Sequence, residues 1–474
     1  MVEERALETT RSLNLLAGYE TPVVADASKL SAVSRSVRAQ VLAGVREIGP
    51  PSADKHSPQE AGSMLLGFSS GPYQSSSGSA VSFARSAIAW PALGSTPGCI
   101  ADRVPSHFAE LLEGRRGGLV RAMKEVRSIR RRDGLPNMHG DATLNENRAD
   151  YIWFVKEGVK RGIFRIGRKA KEHCRAFFVK KKDGNLRVIF DCRRANQHFA
   201  APPGVNLFSA ASFSEFVVEE DTKVYYGSCD VKNAFYQHAL PGWLSNYFSL
   251  AGVRAYEVGV KHLDGVEVDP NTLLYPQLRV VPMGWSWGVA LVQEAHLHLL
   301  SGVGGLTRDR QAVDFRPPPG LGPSPAFSMY IDNLCVVGVS KESVDQVLDR
   351  GLAAWQKAGL AVHEIEPAAL TAKCLGGDQQ GAPPSNGLSS RKVDQIYDGV
   401  GWLLRERCKC TSAEMGHLVG HLTFASLFKR ESLSVFRSVY DFIGKDYTVP
   451  TELWVSVRRE LEMMRHAANV AATN

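Results

Sequence analysis

The chain has 474 residues and no stretch long and apolar enough to span a bilayer. Its opening residues, MVEERALETTRSLNLL, lack the basic flank and unbroken apolar core of a secretory signal. These two absences lead us to expect an intracellular chain, in the nucleus or cytoplasm, neither secreted nor partnered with a membrane. Its eight cysteines (Cys99, Cys174, Cys192, Cys229, Cys335, Cys374, Cys408 and Cys410) follow no framework spacing. Several fall within apolar, strand-like runs, which suits reduced, partly buried thiols rather than a disulfide scaffold. Cys408 and Cys410 precede His417 and His421, the one arrangement that suggests zinc. Cys-x-Cys is an unusual ligand spacing, however, and both histidines lie in a helical run packed by Leu418, Leu422 and Phe424, so packing is the simpler reading. No internal repeat is apparent.

What is present is ordinary globular composition, 44% hydrophobic and 22% charged, in a chain too long for one core; two or three subdomains are expected. The formal charge is +7, and the bases crowd between Arg115 and Arg194. Arg130, Arg131 and Arg132 form one run, Arg168, Lys169 and Lys171 another, Lys180, Lys181 and Lys182 a third. Such a surplus suits a polyanion, most economically nucleic acid; a solvated basic face is the alternative.

Residues 1 to about 140 are weakly patterned, with a Ser/Gly-rich loop, SSGPYQSSSGS, at 69–79. From Tyr151 the texture changes. YIWFVKEGVKRGIF predicts an amphipathic helix, and CRAFFVKKKDGNLRVIFDCRRAN predicts two strands joined at Asp183-Gly184. VYYGSCDVKNAFYQHAL predicts a strand running into a helix, at whose junction Asp230 would suit an N-cap as well as a site. VVPMGWSWGVALVQEAHLHLL starts extended, turns at Pro282-Met283-Gly284 and continues as a helix. After a Gly/Pro-rich loop, RPPPGLGPSP, comes FSMYIDNLCVVGV: two short apolar runs that predict a tight hairpin with Asp332 and Asn333 at or beside the turn. Asp and Asn are also common turn residues on local grounds alone. SVDQVLDRGLAAWQKAGL then predicts a helix and VHEIEP a strand, and from Arg391 onward the apolar stripes are mainly helical.

Four of these motifs, in this order, resemble those of retroelement reverse transcriptases. FFVKKKDGNLRVIFDCRRAN resembles the fingers hairpin, SCDVKNAFYQ the strand bearing the first catalytic aspartate, VPMGWSWG the loop and helix that hold template and incoming base, and MYIDN the Tyr-x-Asp-Asp hairpin. Cys374-Leu375-Gly376 weakly resembles the primer-grip turn, and GHLVGHLTFASLF the thumb and connection helices. The likeness covers roughly residues 150–450. It implies an α+β right-hand polymerase core with fingers, a palm with an antiparallel sheet, and a helical thumb. Fingers and palm would occupy 150–390, thumb or connection 391–474, and 1–140 stays unassigned.

The implied activity is RNA-directed DNA synthesis on an RNA template from a DNA primer, with dNTPs and an RNA–DNA duplex as partners. Nucleotidyl transfer of this kind uses two divalent cations, Mg2+ with Mn2+ as the alternative, and hard cations want carboxylate and carbonyl oxygens. The resemblance assigns the metals to Asp230, Asp332 and the Val231 carbonyl, with Asn333 assisting. It assigns the triphosphate to Lys181 and Arg187, and exclusion of a ribose 2′-hydroxyl to Phe235. The nucleotide and template base pair fall to Pro282, Met283, Gly284 and Trp285, and the primer to Leu375 and Gly376. Lys181 and Arg187 also suit a solvated hairpin tip, and Phe235 plain packing.

The sequence departs from the family at three points. Asn333 stands where the second aspartate is expected and keeps one carbonyl oxygen but no charge. Met283 cannot donate the hydrogen bond of the Gln found in many retroviral enzymes. No lysine aligns clearly as a general acid, Lys373 being the one candidate. No carboxylate set for a ribonuclease H domain and no integrase or protease motif is found, so a segment of a longer element product, or a truncated copy, is expected. The rival is a catalytically silent descendant kept as a nucleic-acid-binding scaffold; a third reading, an RNA-directed RNA polymerase, is disfavoured by Phe235.

Overall fold

The computed structural model describes residues 2–16, 31–47, 56–67, 81–94, 96–181, 184–219, 221–470 and 472–473. The Ser/Gly-rich stretch at 69–79 and the hairpin-tip residues Lys182 and Asp183 lie outside the described residues. Helices and several separate sheets make a mixed α/β chain. It divides into two compact units, one built from 1–71, 209–226 and 369–474, the other from 72–208 and 227–368. The weakly patterned first 140 residues are therefore shared between both units, and the sequence boundary near 390 falls inside the first.

In the first unit, helices Pro58–Leu65 and Ser390–Trp402 pack closely because both carry glycine at the crossing. A Cβ on Gly62 would come within 2.2 Å of Trp402, and one on Gly399 within 2.7 Å of Leu65. Around them Ile396, Val400, Leu418, Leu422, Val457 and Leu461 form one apolar core. Pro58–Leu65 is closed by a reciprocal cap between Ser57 and Glu60, and Ser412–Leu427 by one between Thr411 and Glu414. His421 in the latter helix holds Lys392 at 3.2 Å. Strands Thr371–Cys374, Gly377–Gly381 and Pro384–Leu388 form an antiparallel meander joined by the turn Leu375-Gly376. Both turn residues have positive φ, +51° and +85°.

The second unit carries a five-stranded sheet. Its elements in chain order are β1 (Tyr225–Val231), α1 (Gly288–Leu300), β2 (Gln311–Ala312), β3 (Ala326–Tyr330), β4 (Asn333–Gly338), α2 (Lys341–Lys357) and β5 (Val362–Ala369). The strand order is β2-β3-β4-β1-β5. β3 and β4 are buried almost throughout, which is why AFSMY and NLCVVG read as continuous rather than alternating apolar runs. The apolar stripe of α2 (Val344, Val347, Leu348, Leu352, Trp355) is buried, and Gly227 of β1 lets it approach: an added Cβ would lie 3.2 Å from Leu348 and 3.3 Å from Val344. Elsewhere in this unit Arg175–Lys180 and Leu186–Asp191 pair antiparallel, Lys180 opposite Leu186, which is the hairpin expected around Asp183-Gly184.

Two expected helices differ. The helix expected over 151–164 runs Arg148–Lys160, started by the Asn147 side chain. Gly162, at φ +69°, breaks it, and Phe164 opens the strand Phe164–Gly167. The helix expected after Asp230 is one 3-10 turn, Ala234–Gln237. Asn233 takes a left-handed conformation, φ +51°, and Gln237 folds back to donate to the Lys232 carbonyl at 2.5 Å. No α-helix starts there for Asp230 to cap, so the capping explanation of that residue fails.

Candidate active site

Asp230 stands one residue from the end of β1, and β1 neighbours β4 in the sheet. On the other side of β4 the hairpin closes in two residues: Tyr330 pairs with Asn333, so Ile331 and Asp332 are the turn itself. Asn333 is already on the strand. Val231 N–H donates to the Asp332 carbonyl at 2.8 Å, which locks the turn beside the Asp230 strand end. Ile331 has φ +57°, a conformation costly for a β-branched residue and kept only where the surroundings impose it. Part of that imposition is Gln293 of α1, fully buried, whose Oε1 accepts from Ile331 N–H at 2.6 Å and whose Nε2 donates to the Met329 carbonyl at 3.0 Å.

The two carboxylates feel each other. Burial first, then the charge of Asp332, push Asp230 up to about 7, against a smaller pull downward from His363. Burial raises Asp332 as well, opposed by its own main-chain N–H, Arg187 and His363. His363 of β5 sets Nε2 3.0 Å from Asp230 Oδ1. Nothing in the spacing of VHEIEP marks it, and neither His363 nor Gln293 was singled out from sequence. A pair of half-buried carboxylates held in mutual repulsion, with one imidazole as counterpart, is chemically suited to a hard divalent cation, which would relieve the repulsion. Among the described residues no group of three His, Cys, Asp or Glu side chains gathers as a metal cluster; the donor set is this pair with neighbouring main-chain oxygens.

Arg187 is exposed on its hairpin, opposite Val179, and its charge reaches Asp332. Lys181 lies at the hairpin tip, its N–H donating to the Asn185 carbonyl at 2.7 Å. Phe235 is half-buried in the 3-10 turn after β1 and packs on Gly288, where a Cβ would lie 3.2 Å from its ring.

The 282–285 turn is fastened to the hairpin base. Phe190 N–H donates to the Met283 carbonyl at 3.3 Å. Asn196 brackets the turn, donating to the Gly284 carbonyl at 3.0 Å and accepting from Ser286 N–H at 2.9 Å. Gly284 has φ +117°, and a Cβ there would meet the Phe190 carbonyl at 2.3 Å, so only glycine fits. Met283 is half-buried and Gly284 exposed, whereas Pro282 is buried. Trp285 is 3% exposed and meets the stacked pair Phe199 and Phe248 edge-to-face. The expectation sets Trp285 against the template; in the structure its ring is packed inside the protein.

Leu375, Gly376 and Lys373 belong to the first unit; Lys373 stands opposite Asp378 in its meander. The basic runs are partly consumed internally: Arg130 binds Glu172 and Gln197, Arg132 binds Asp133, and Arg194 donates to the Pro136 carbonyl.

No protein-family model matches the sequence, and no curated protein is similar to it. Among solved structures, the chain is similar to the foamy viral protease-reverse transcriptase dRH in complex with ds DNA, at TM-score 0.49 and 15% identity, over 80% of this chain and 53% of that one. It is similar to the foamy viral protease-reverse transcriptase in complex with RNA/DNA hybrid at TM-score 0.48 and 16% identity, over 72% of this chain and 39% of that one. For the same enzyme in complex with dsDNA the values are 0.47 and 17%, over 71% and 60%. The chain thus spans about half the length of the first of these proteins, 53%.

Proposed function

We propose that this chain is an RNA-directed DNA polymerase of retroelement type, extending a DNA primer on an RNA template with dNTPs, on a right-hand core of fingers, palm and thumb. The observation that carries the reading is the meeting of Asp230, near the end of β1, and Asp332, in the hairpin turn beside it, 102 residues apart in sequence by subtraction of their numbers, where the Asp332 charge raises the cost of ionising Asp230. Asp230, Asp332 and the Val231 carbonyl would hold two Mg2+ ions, or Mn2+, with Asn333 lending an amide oxygen. When bound, such ions activate the primer 3′-hydroxyl and stabilise the leaving pyrophosphate. Arg187, already close enough to act on Asp332, and Lys181 on the same hairpin neutralise triphosphate charge. Phe235, braced on Gly288, closes the space a ribose 2′-hydroxyl would need. Met283 and Gly284 offer an apolar side chain and an exposed main chain to the nascent base pair, with Asn196 keeping the turn in place.

The test is primer extension on poly(rA)–oligo(dT) with purified protein, in Mg2+ and separately in Mn2+. Extension that disappears in Asp230→Asn, and ribonucleotide incorporation that rises in Phe235→Ala, are the expected results. A second reading, a catalytically silent nucleic-acid-binding scaffold, is favoured by one observation, the uncharged Asn333 next to the turn. Tight duplex binding with no extension in either metal would select it.

A further inference from the structure

The Asp332 turn is held from a second direction by buried polar groups leading back into the unassigned N-terminal region. Arg103 follows the short strand Gly98–Cys99, which pairs in parallel with His238–Ala239. Its guanidinium occupies the space beside Gly98, where a Cβ would lie 2.3 Å from Nη2. It donates to the carbonyls of Gln237 at 2.8 Å and Ala358 at 2.6 Å. The same Nη1 lies 3.4 Å from His238 Nδ1. His238 Nε2 lies 3.0 Å from His296 Nε2, and His296 Nδ1 lies 2.6 Å from the Ile331 carbonyl. Both imidazoles are 0% exposed.

The proton positions along this chain follow from its ends. A carbonyl only accepts, so His296 Nδ1 carries the hydrogen and, in a neutral ring, His296 Nε2 accepts. His238 Nε2 then donates, leaving His238 Nδ1 to accept from Arg103, which only donates. Burial holds His238 well below its usual range and brings His296 to about 4, so both rings are neutral as this order requires. The far end is anchored too: Trp355 of α2, 0% exposed, donates to the His296 main-chain carbonyl at 3.3 Å.

The chain ends on a specific peptide plane. The Ile331 carbonyl belongs to the peptide joining Ile331 to Asp332, and the next carbonyl, that of Asp332, is fixed by Val231 N–H. With Gln293 on the Ile331 N–H, each peptide plane of a turn that Ile would not adopt unaided has a side-chain or strand partner. We propose that Arg103, His238 and His296 form a positioning relay that sets the Ile331–Asp332 peptide and so directs the Asp332 carboxylate toward Asp230. Its consequence for metal binding and catalysis rests on the polymerase reading; its effect on the turn does not.

The experiment uses the full chain with Arg103→Met, which keeps the aliphatic stem and removes the donors, and Arg103→Lys, which restores one. Hydrogen exchange of the amides at 329–333, Mn2+ binding, and the kcat and dNTP KM of primer extension are compared with wild type. Arg103→Met is expected to speed exchange at Asp332 and its turn neighbours about tenfold, the scale of one buried hydrogen bond. Exchange in β3 and β4 stays slow. Mn2+ affinity falls several-fold, kcat drops, KM for dNTP is unchanged, and Arg103→Lys recovers most of each. Turn exchange equal to wild type, or acceleration spread evenly through both strands as general destabilisation gives, overturns the relay. His238→Leu, which cuts the relay in its middle, supplies the same comparison should Arg103→Met not fold. Wild-type protein that binds no Mn2+ while the turn still responds to Arg103→Met overturns the polymerase reading and leaves the relay standing.

Discussion

Replacing Asp230 by Asn should make the metal-free protein more stable, and increasingly so as pH rises. Burial and the Asp332 charge raise Asp230 from an ordinary 3.8 to about 7. Between those values the folded state binds the proton that the unfolded chain has released, so stability falls as pH climbs through this window and the full cost is reached above about 7. A displacement of that size corresponds to about 4 kcal/mol, and solvent screening around a side chain that is 24% exposed cuts it to about 2 kcal/mol. Asn carries no charge and still offers an amide to His363, so nearly the whole cost is removed. The assay is urea denaturation of both proteins in EDTA from about pH 5 to pH 8, followed by more than one probe because the chain has two units. The expected stability difference is below about 1 kcal/mol at the acid end and about 2 kcal/mol at the alkaline end. Saturating Mg2+ should then stabilise wild type, through linkage of the cation to the folded state, and leave the variant unmoved. A variant that is less stable than wild type at the alkaline end, or a difference that does not grow with pH, would refute the electrostatic account of the pair.

Asn333→Asp adds a carboxylate one residue beyond Asp332; it should tighten Mn2+ binding and raise the Mg2+-dependent extension rate several-fold, while lowering metal-free stability at alkaline pH, with titration calorimetry and primer extension as the readouts. Gly284→Ala forces a Cβ within 2.3 Å of the Phe190 carbonyl at φ +117°; a loss of about 2–4 kcal/mol in stability and a raised dNTP KM should follow, measured by denaturation and steady-state kinetics. Glu172 is held at about 2 despite its burial, by His198, the His173 N–H and Arg130. The stability this contributes is present above its ordinary 4.5 and is lost as pH falls toward 2, so Arg130→Leu should shift the acid unfolding midpoint upward, read by circular dichroism.

How much of this site was legible follows from where each constraint comes from. The 327–339 hairpin and the hairpin around Asp183-Gly184 show in the sequence because two short apolar runs and their turn are local, and local pairing made them. Which two residues close the first hairpin was not legible. Propensity favours Asp-Asn, whereas the structure turns on Ile331 and Asp332 with Asn333 paired to Tyr330. That choice is imposed by Gln293, 38 residues away in sequence, and by His296, 35 away, against the preference of a β-branched residue. The helix expected after Asp230 failed for the converse reason: KNAFYQ has helical composition, but a left-handed Asn233 and the Gln237 side chain turn the backbone after one 3-10 turn. His363 shows the limit most clearly. Its partner lies 133 residues away, and only the strand order that places β1 between β4 and β5 lets the ring meet Asp230. Three of the features that sequence pattern alone misplaces, the hairpin closure, the segment after Asp230 and the His363 contact, therefore lie at one hairpin turn and its neighbouring strand. There the chain accepts an unfavourable Ile conformation and two repelling carboxylates, an expense that packing alone does not explain and that binding of a cation by Asp230 and Asp332 would.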